Sequence, residues 1–161
     1  MPVSMSPTAD RATSPRATTR RKAIDVACVR SAVEAAERRT SAEIVVSIAP
    51  FFLGRVWTAA HRAFERLGIA RTRGHVGVLV FVVPARRQVV VLADDSALAQ
   101  IDPAIWSDAA SRIAAAFACG CGTAGLVDGI DWLSRALSGP FPYEPGAVNE
   151  LPDQPELQGA P

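Results

Sequence analysis

At 161 residues, 49% of them apolar and 20% charged, the chain has the composition of one globular domain. A net charge of +1 excludes a general nucleic-acid binder, which carries a strong positive excess. Three cysteines exclude an even disulfide framework, and no apolar run approaches the ~20 residues of a membrane span.

Charge is unevenly placed along the chain. Residues 1–22 hold five basic groups against Asp10, and residues 139–161 hold four acids and no base. Both ends are rich in Pro, Ser, Thr or Gly, so 1–21 reads as a disordered basic tail and 139–161 as a disordered acidic tail. The body, 22–138, is the domain. Pro2, Pro7 and Pro15 argue against an amphipathic targeting helix, and an apolar signal segment is missing. Cys119-Gly120-Cys121 resembles half of a thiolate metal site without a second pair, so the cysteines are expected to be structural. A cytoplasmic protein with reduced thiols is the expectation.

In chain order, residues 24–39 have helical periodicity. Val26, Val29, Val33 and Ala36 share one face, and Asp25, Arg30, Glu34, Glu37 and Arg38 fill the other. Ile44 to Ala49 is short, β-branched and closed by Pro50, which predicts a strand despite the capping-box pattern Thr40-Ser41-Ala42-Glu43 before it. Gly54 to Leu67 returns to helical spacing, with Val56, Ala60, Phe64 and Leu67 inward and Gly68 as its stop.

Val76 to Val83 is apolar almost without interruption, as a strand covered on both faces must be. Pro84-Ala85-Arg86-Arg87 is a polar break of hairpin length, and Gln88 to Ala93 is a second apolar strand closed by Asp94-Asp95. Strand, crossover helix and strand predict a right-handed parallel unit, with 88–93 antiparallel to it. After a short connector, Asp102-Pro103 is an N-cap followed by the first helical residue. Trp106, Ala110, Ile113 and Phe117 mark the inner face of that helix. Thr123 is expected to cap a last helix whose inner face is Leu126, Ile130, Leu133 and Leu137, with Gly125 and Gly129 permitting close packing. The pattern predicts an α/β fold, a three-layer α/β/α sandwich with a mixed sheet of three to four strands and helices on both faces.

Three segments together resemble the TPM domain family: TSAEIVVSIAP over 40–50, GVLVFVVPARRQVVVLADD over 77–95, and Trp106, Phe117, Gly125-Leu126 and Gly129-Ile130 in the last two helices. The family is known from thylakoid lumen proteins, photosystem II repair factors and a nicotinic-receptor modulator. The resemblance, over roughly 24–137, implies an α/β/α sandwich in which some members act as weak phosphatases and some bind calcium or another divalent ion. This chain departs from the family pattern at the Thr/Arg segment 17–22, at Ala85 and at Asp94-Asp95-Ser96.

Strand direction sorts the polar residues onto two rims. Asp94, Asp95 and Asp102 fall together with Ser41, Glu43, Arg73 and His75 at the rim where the parallel strands begin. Oxygen ligands of this kind suit calcium or magnesium, so the three aspartates are candidate metal ligands. Each also has a structural role available, as a strand end, a turn residue or a helix cap. Arg73 and His75 are candidate phosphate contacts. Arg55 and the hairpin arginines Arg86-Arg87 go to the opposite rim. Two functions stay open: a non-catalytic binding or assembly module with a protein partner, and a metal-assisted phosphomonoester hydrolase. The separation of acids from hairpin arginines favours the module. No glycine-rich phosphate loop, zinc spacing or nucleophile elbow is present.

Overall fold

The computed structural model describes residues 23–72 and 76–159. The segment 1–21, Arg73 and His75 lie outside the described residues. Helix α1 spans Val26–Glu37 and starts where the Asp25 carboxylate accepts from the Cys28 N–H at 3.1 Å. Strand β1, Glu43–Ile48, follows and is buried at every residue. Helix α2, Val56–Arg66, connects it to β2, Gly77–Val83, which is likewise buried throughout. A tight turn over Pro84–Arg86, with Arg87 at φ 54°, reverses the chain into β3, Gln88–Ala93.

The connector after β3 is a short helix, α3, Asp95–Gln100, rather than a loop. Helices α4, Pro103–Ala118, and α5, Gly122–Ser138, complete the body. Asp102 caps α4 as its sequence predicts, accepting from the Ala104 N–H at 2.8 Å. Thr123 does not cap α5. The helix begins one residue earlier, after Gly120 turns the chain at φ 82°, and the Thr123 hydroxyl accepts from the Asp25 N–H instead.

The sheet order is β3-β2-β1-β4, with β1 parallel to β2 and β2 antiparallel to β3. Alternation along the strands divides the core into two layers. Ile44, Val46, Ile48, Val78, Val80 and Val82 pack with α1, α4 and α5, while Val45, Leu79, Phe81 and Val83 pack with α2. Strand β3 is an edge strand, half-exposed through Val89–Val91, so only β1 and β2 are covered completely. Helices α4 and α5 approach closely at the two glycines. A Cβ on Gly125 would lie 2.1 Å from that of Ala116, and one on Gly129 would lie 2.5 Å from the Ile113 side chain.

The reading of 139–161 as a disordered tail is corrected over 139–159. Pro142 bridges to Thr40, the chain crosses the end of α1, and β4, Glu156–Leu157, pairs parallel with Ser47 and Ile48. The segment has no apolar periodicity because polar contacts to β1 and α2 hold it together with single apolar contacts from Phe141 and Leu151, and those partners are distant in sequence.

Phe81 is fully buried against α2 and Val80 against the opposite layer. Phe81→Ala is expected to cost roughly 3–5 kcal/mol in urea unfolding. A loss below about 1 kcal/mol, the range of a surface substitution, would mean that α2 does not seal its face of the sheet.

Candidate functional site

The parallel register places the start of β1 and β2 on one rim and the β2–β3 turn on the other. On the first rim, Asp94 is consumed by structure. One carboxylate oxygen accepts from the Ala97 N–H at 3.0 Å and the other from the Gly77 N–H at 2.9 Å, so a single side chain caps α3 and ties it to β2. Asp95 is exposed in the first turn of α3, and Asp102 is exposed as the α4 cap. Among the described residues, no group of three or more His, Cys, Asp or Glu side chains gathers in an arrangement that could hold a metal ion. The structure therefore gives Asp94 and Asp102 the alternative capping roles that the sequence offered. The phosphate candidates Arg73 and His75 fall outside the described residues.

What this rim does contain is a cleft of about 320 Å³ between the end of α1, the start of β1 and residues 143–153. Glu34, Glu37, Glu43 and Asp153 face it, with Arg38 as the cation among its lining residues. Glu43 is buried and accepts from the Glu150 N–H at 2.8 Å. Burial and the neighbouring Asp153 push the Glu37 carboxyl up to about 8, with Glu43 and Glu34 adding like-charge repulsion. The Asn149 amide donates to Glu37 at 3.1 Å and also donates to Asp153. At neutral pH Glu37 thus keeps its proton and hydrogen-bonds to Asp153 across the cleft, which fastens segment 143–153 to α1. Glu37 read as part of a solvated helix face and Asp153 as part of a tail. Ser41 and Glu43, as rim residues, were visible from the sequence.

The opposite rim holds a cleft of about 440 Å³ between the start of α2, the β2–β3 turn and α4. Arg55, Arg86 and Arg87 line it with Ser111 and Trp57, and none of its lining residues is acidic. Trp57 is 60% exposed and meets His61 edge-on, with ring centroids 4.8 Å apart. Arg86 donates to the Gly54 carbonyl, which pins the turn to the start of α2. That helix carries no side-chain cap and no acid in its first turn, so nothing there offsets its positive end. The three cysteines, expected to be structural, are all exposed free thiols.

These elements define an α/β/α sandwich with an acidic cleft on one rim and a basic cleft on the other. The TPM domain model matches residues 22–136, and the chain belongs to that family. It is also similar to a solved structure, the BA42 protein from the psychrophilic bacterium Bizionia argentinensis, determined by NMR. The two share 27% identity over 82% of this chain and 91% of that one, with a TM-score of 0.75. Among curated proteins none matches the chain.

Two measurements check this geometry. Asp94→Ala is expected to lower stability by roughly 1–2 kcal/mol, the loss of a helix cap, to the same extent with and without millimolar calcium. The raised Glu37 pKa has a definite sign. The folded protein holds the proton more tightly than the unfolded chain, so this contribution is complete below about 4.5 and is lost as pH rises through about 8. Glu37→Gln is therefore expected to match the native melting temperature at pH 4, to exceed it increasingly from pH 5 to about pH 8, and to keep a constant lead above that. A constant difference from pH 4 to pH 8 would show that the fold does not raise the Glu37 carboxyl.

Proposed function

We propose that this TPM domain is a non-catalytic binding module that takes an anionic group of a protein partner in the Arg55–Arg86–Arg87 cleft. What supports the reading is the separation of charge between the two rims. A phosphomonoester hydrolase needs oxygen ligands, a proton donor and a phosphate clamp on one substrate. Here the aspartates and the arginine cleft lie at opposite ends of the sheet, and Asp94 has both oxygens engaged by backbone N–H groups of α3 and β2. The arginine cleft by contrast combines three guanidinium groups, the free positive end of α2 and an exposed indole, a set suited to a carboxylate or phosphate on a protein surface. Among the described residues no helix is long and apolar enough to cross a membrane. A cytoplasmic setting agrees with three exposed thiols that remain free.

The alternative is a weak phosphatase with calcium or magnesium at Asp94, Asp95 and Asp102, and one experiment separates the two. Phosphoserine and a polyglutamate peptide are titrated while backbone amide shifts are followed. The module reading expects shifts at residues 55–57, 86–90 and 111–114, weakened at least tenfold by Arg55→Ala/Arg87→Ala and by raised salt. Calcium and magnesium are then added in a thermal melt with a phosphomonoester assay. Stabilisation of about 2.7 kcal/mol at a hundredfold excess over Kd, with turnover lost in Asp95→Asn, would establish the phosphatase instead.

A further inference from the structure

Strand β1 lies beside β2 on one side, and on the other, among the described residues, it meets only the two-residue β4. Ser47 is a polar residue in the middle of this buried strand and is 0% exposed. Its hydroxyl donates to a Glu156 carboxylate oxygen at 2.8 Å and accepts from the Gln158 amide at 3.1 Å. Arg66, at the end of α2, closes on the same carboxylate with both guanidinium nitrogens, one of them at 3.1 Å. The Gln158 N–H continues the strand pairing to the Ile48 carbonyl at 2.8 Å, and Pro155 is buried just before it. The carboxylate is thus read by a two-pronged cation and a buried hydroxyl, while the backbone is read by the strand edge. This is how strand-addition sites recognise extended peptides.

The segment that fills this edge is built as a ligand rather than as core. It lies beyond the residues that match the family model, 22–136. Residues 142–150 are exposed throughout, and Leu157 and Val148 leave 59% and 75% of their surface in solvent. Its hold on the domain consists mainly of polar contacts with β1, α1 and α2, with one buried proline and Leu151 packed against the α2 layer. We propose that the outer edge of β1 is a strand-addition site for an extended acidic peptide with a glutamate opposite Ser47 and Arg66, and that residues 154–159 are its resident, exchangeable ligand. A partner with the same Glu-x-Gln pattern competes for the edge, and the covalent tether sets the concentration against which it competes. This site is independent of the arginine cleft, which lies off the β2–β3 turn and α4.

The test uses the full chain with a protease site inserted after Gly146, in the exposed turn at φ 85°. After cleavage, a fluorescent peptide of residues 147–161 is added and its anisotropy followed. Saturable exchange with the resident fragment is expected. Binding should weaken at least tenfold when the peptide carries Glu156→Gln or the domain carries Arg66→Ala, and should be unchanged by Arg55→Ala/Arg87→Ala. The uncut chain is expected to bind the peptide at least a hundredfold more weakly, because its own segment occupies the edge. Three results would each overturn the proposal: no exchange, equal binding of the Glu156→Gln peptide, or binding that follows the cleft arginines rather than Arg66. Hydrogen exchange on uncut Glu156→Gln supplies a second criterion that does not depend on cleavage. Faster exchange confined to 147–159 supports a docked ligand. Equal loss of protection in β2 would make the segment an integral part of the fold and end the idea.

Discussion

The parallel pairing of β1 with β2, apolar on both faces, is the constraint on which the rest of the molecule depends. Two strands buried on both sides require a layer above and a layer below. Parallel pairing also requires a crossover, and α2 supplies it while covering Val45, Leu79, Phe81 and Val83. The other face is wider and takes α1, α4 and α5, the last two brought together by Gly125 and Gly129. Asp94 joins this sheet to α3 through four hydrogen bonds, two accepted by its side chain and two made by its backbone. An acid in that position serves the architecture before it serves any chemistry.

The same pairing creates an exposed boundary. A central strand satisfied on one side by β2 leaves its other edge with unpaired backbone groups, and such edges invite further strands. This chain covers the edge with its own C-terminal segment, secured there by an ion pair and a buried hydroxyl, with Leu151 and Pro155 as its apolar contacts. Polar anchoring makes the cover selective and reversible, since a carboxylate can be replaced by another carboxylate but not by a methyl group. The two ends of the segment also respond differently to protons. Arg66, foremost, holds Glu156 below its usual range, whereas burial and Asp153 hold Glu37 above its own. The Glu156 anchor is complete above the usual carboxylate range and is lost as pH falls through its lowered pKa. The Glu37 contribution is complete in acid and declines as pH rises through about 8. The segment is therefore held at both ends between those limits.

Charge on the two rims follows from strand direction. Because β1 and β2 run the same way, everything at their beginnings shares one rim, and the turn into β3 falls on the other. The acidic cleft gathers Glu34 and Glu37 from α1, Glu43 from β1 and Asp153 from the C-terminal segment, while the basic cleft gathers Arg55 from the start of α2 and Arg86 and Arg87 from the turn. The proposed binding-module role rests on these opposed charges at opposite ends of a small sheet.

The two central strands, the inner faces of the four long helices, the Asp102 cap and the family were all legible in the sequence, because each rests on local apolar periodicity or on a cap within a few residues. The sequence also placed Glu43 on one rim and Arg55, Arg86 and Arg87 on the other, since strand direction alone decides that. Tertiary structure decided what periodicity cannot carry. Glu156 meets Arg66 and Ser47 across 90 and 109 residues, and Asp153 meets Glu37 across more than a hundred. Those residues are polar and belong to segments that look solvated one at a time. Asp94, Asp95 and Asp102 show the converse. Strand direction grouped them on one rim, but Asp94 and Asp102 turn their carboxylates onto separate helix starts, and a buried N–H or an open helix end claims a carboxylate first. Burial of apolar surface is decided by neighbours along the chain, whereas the pairing of polar groups is decided only once the fold has brought distant segments together.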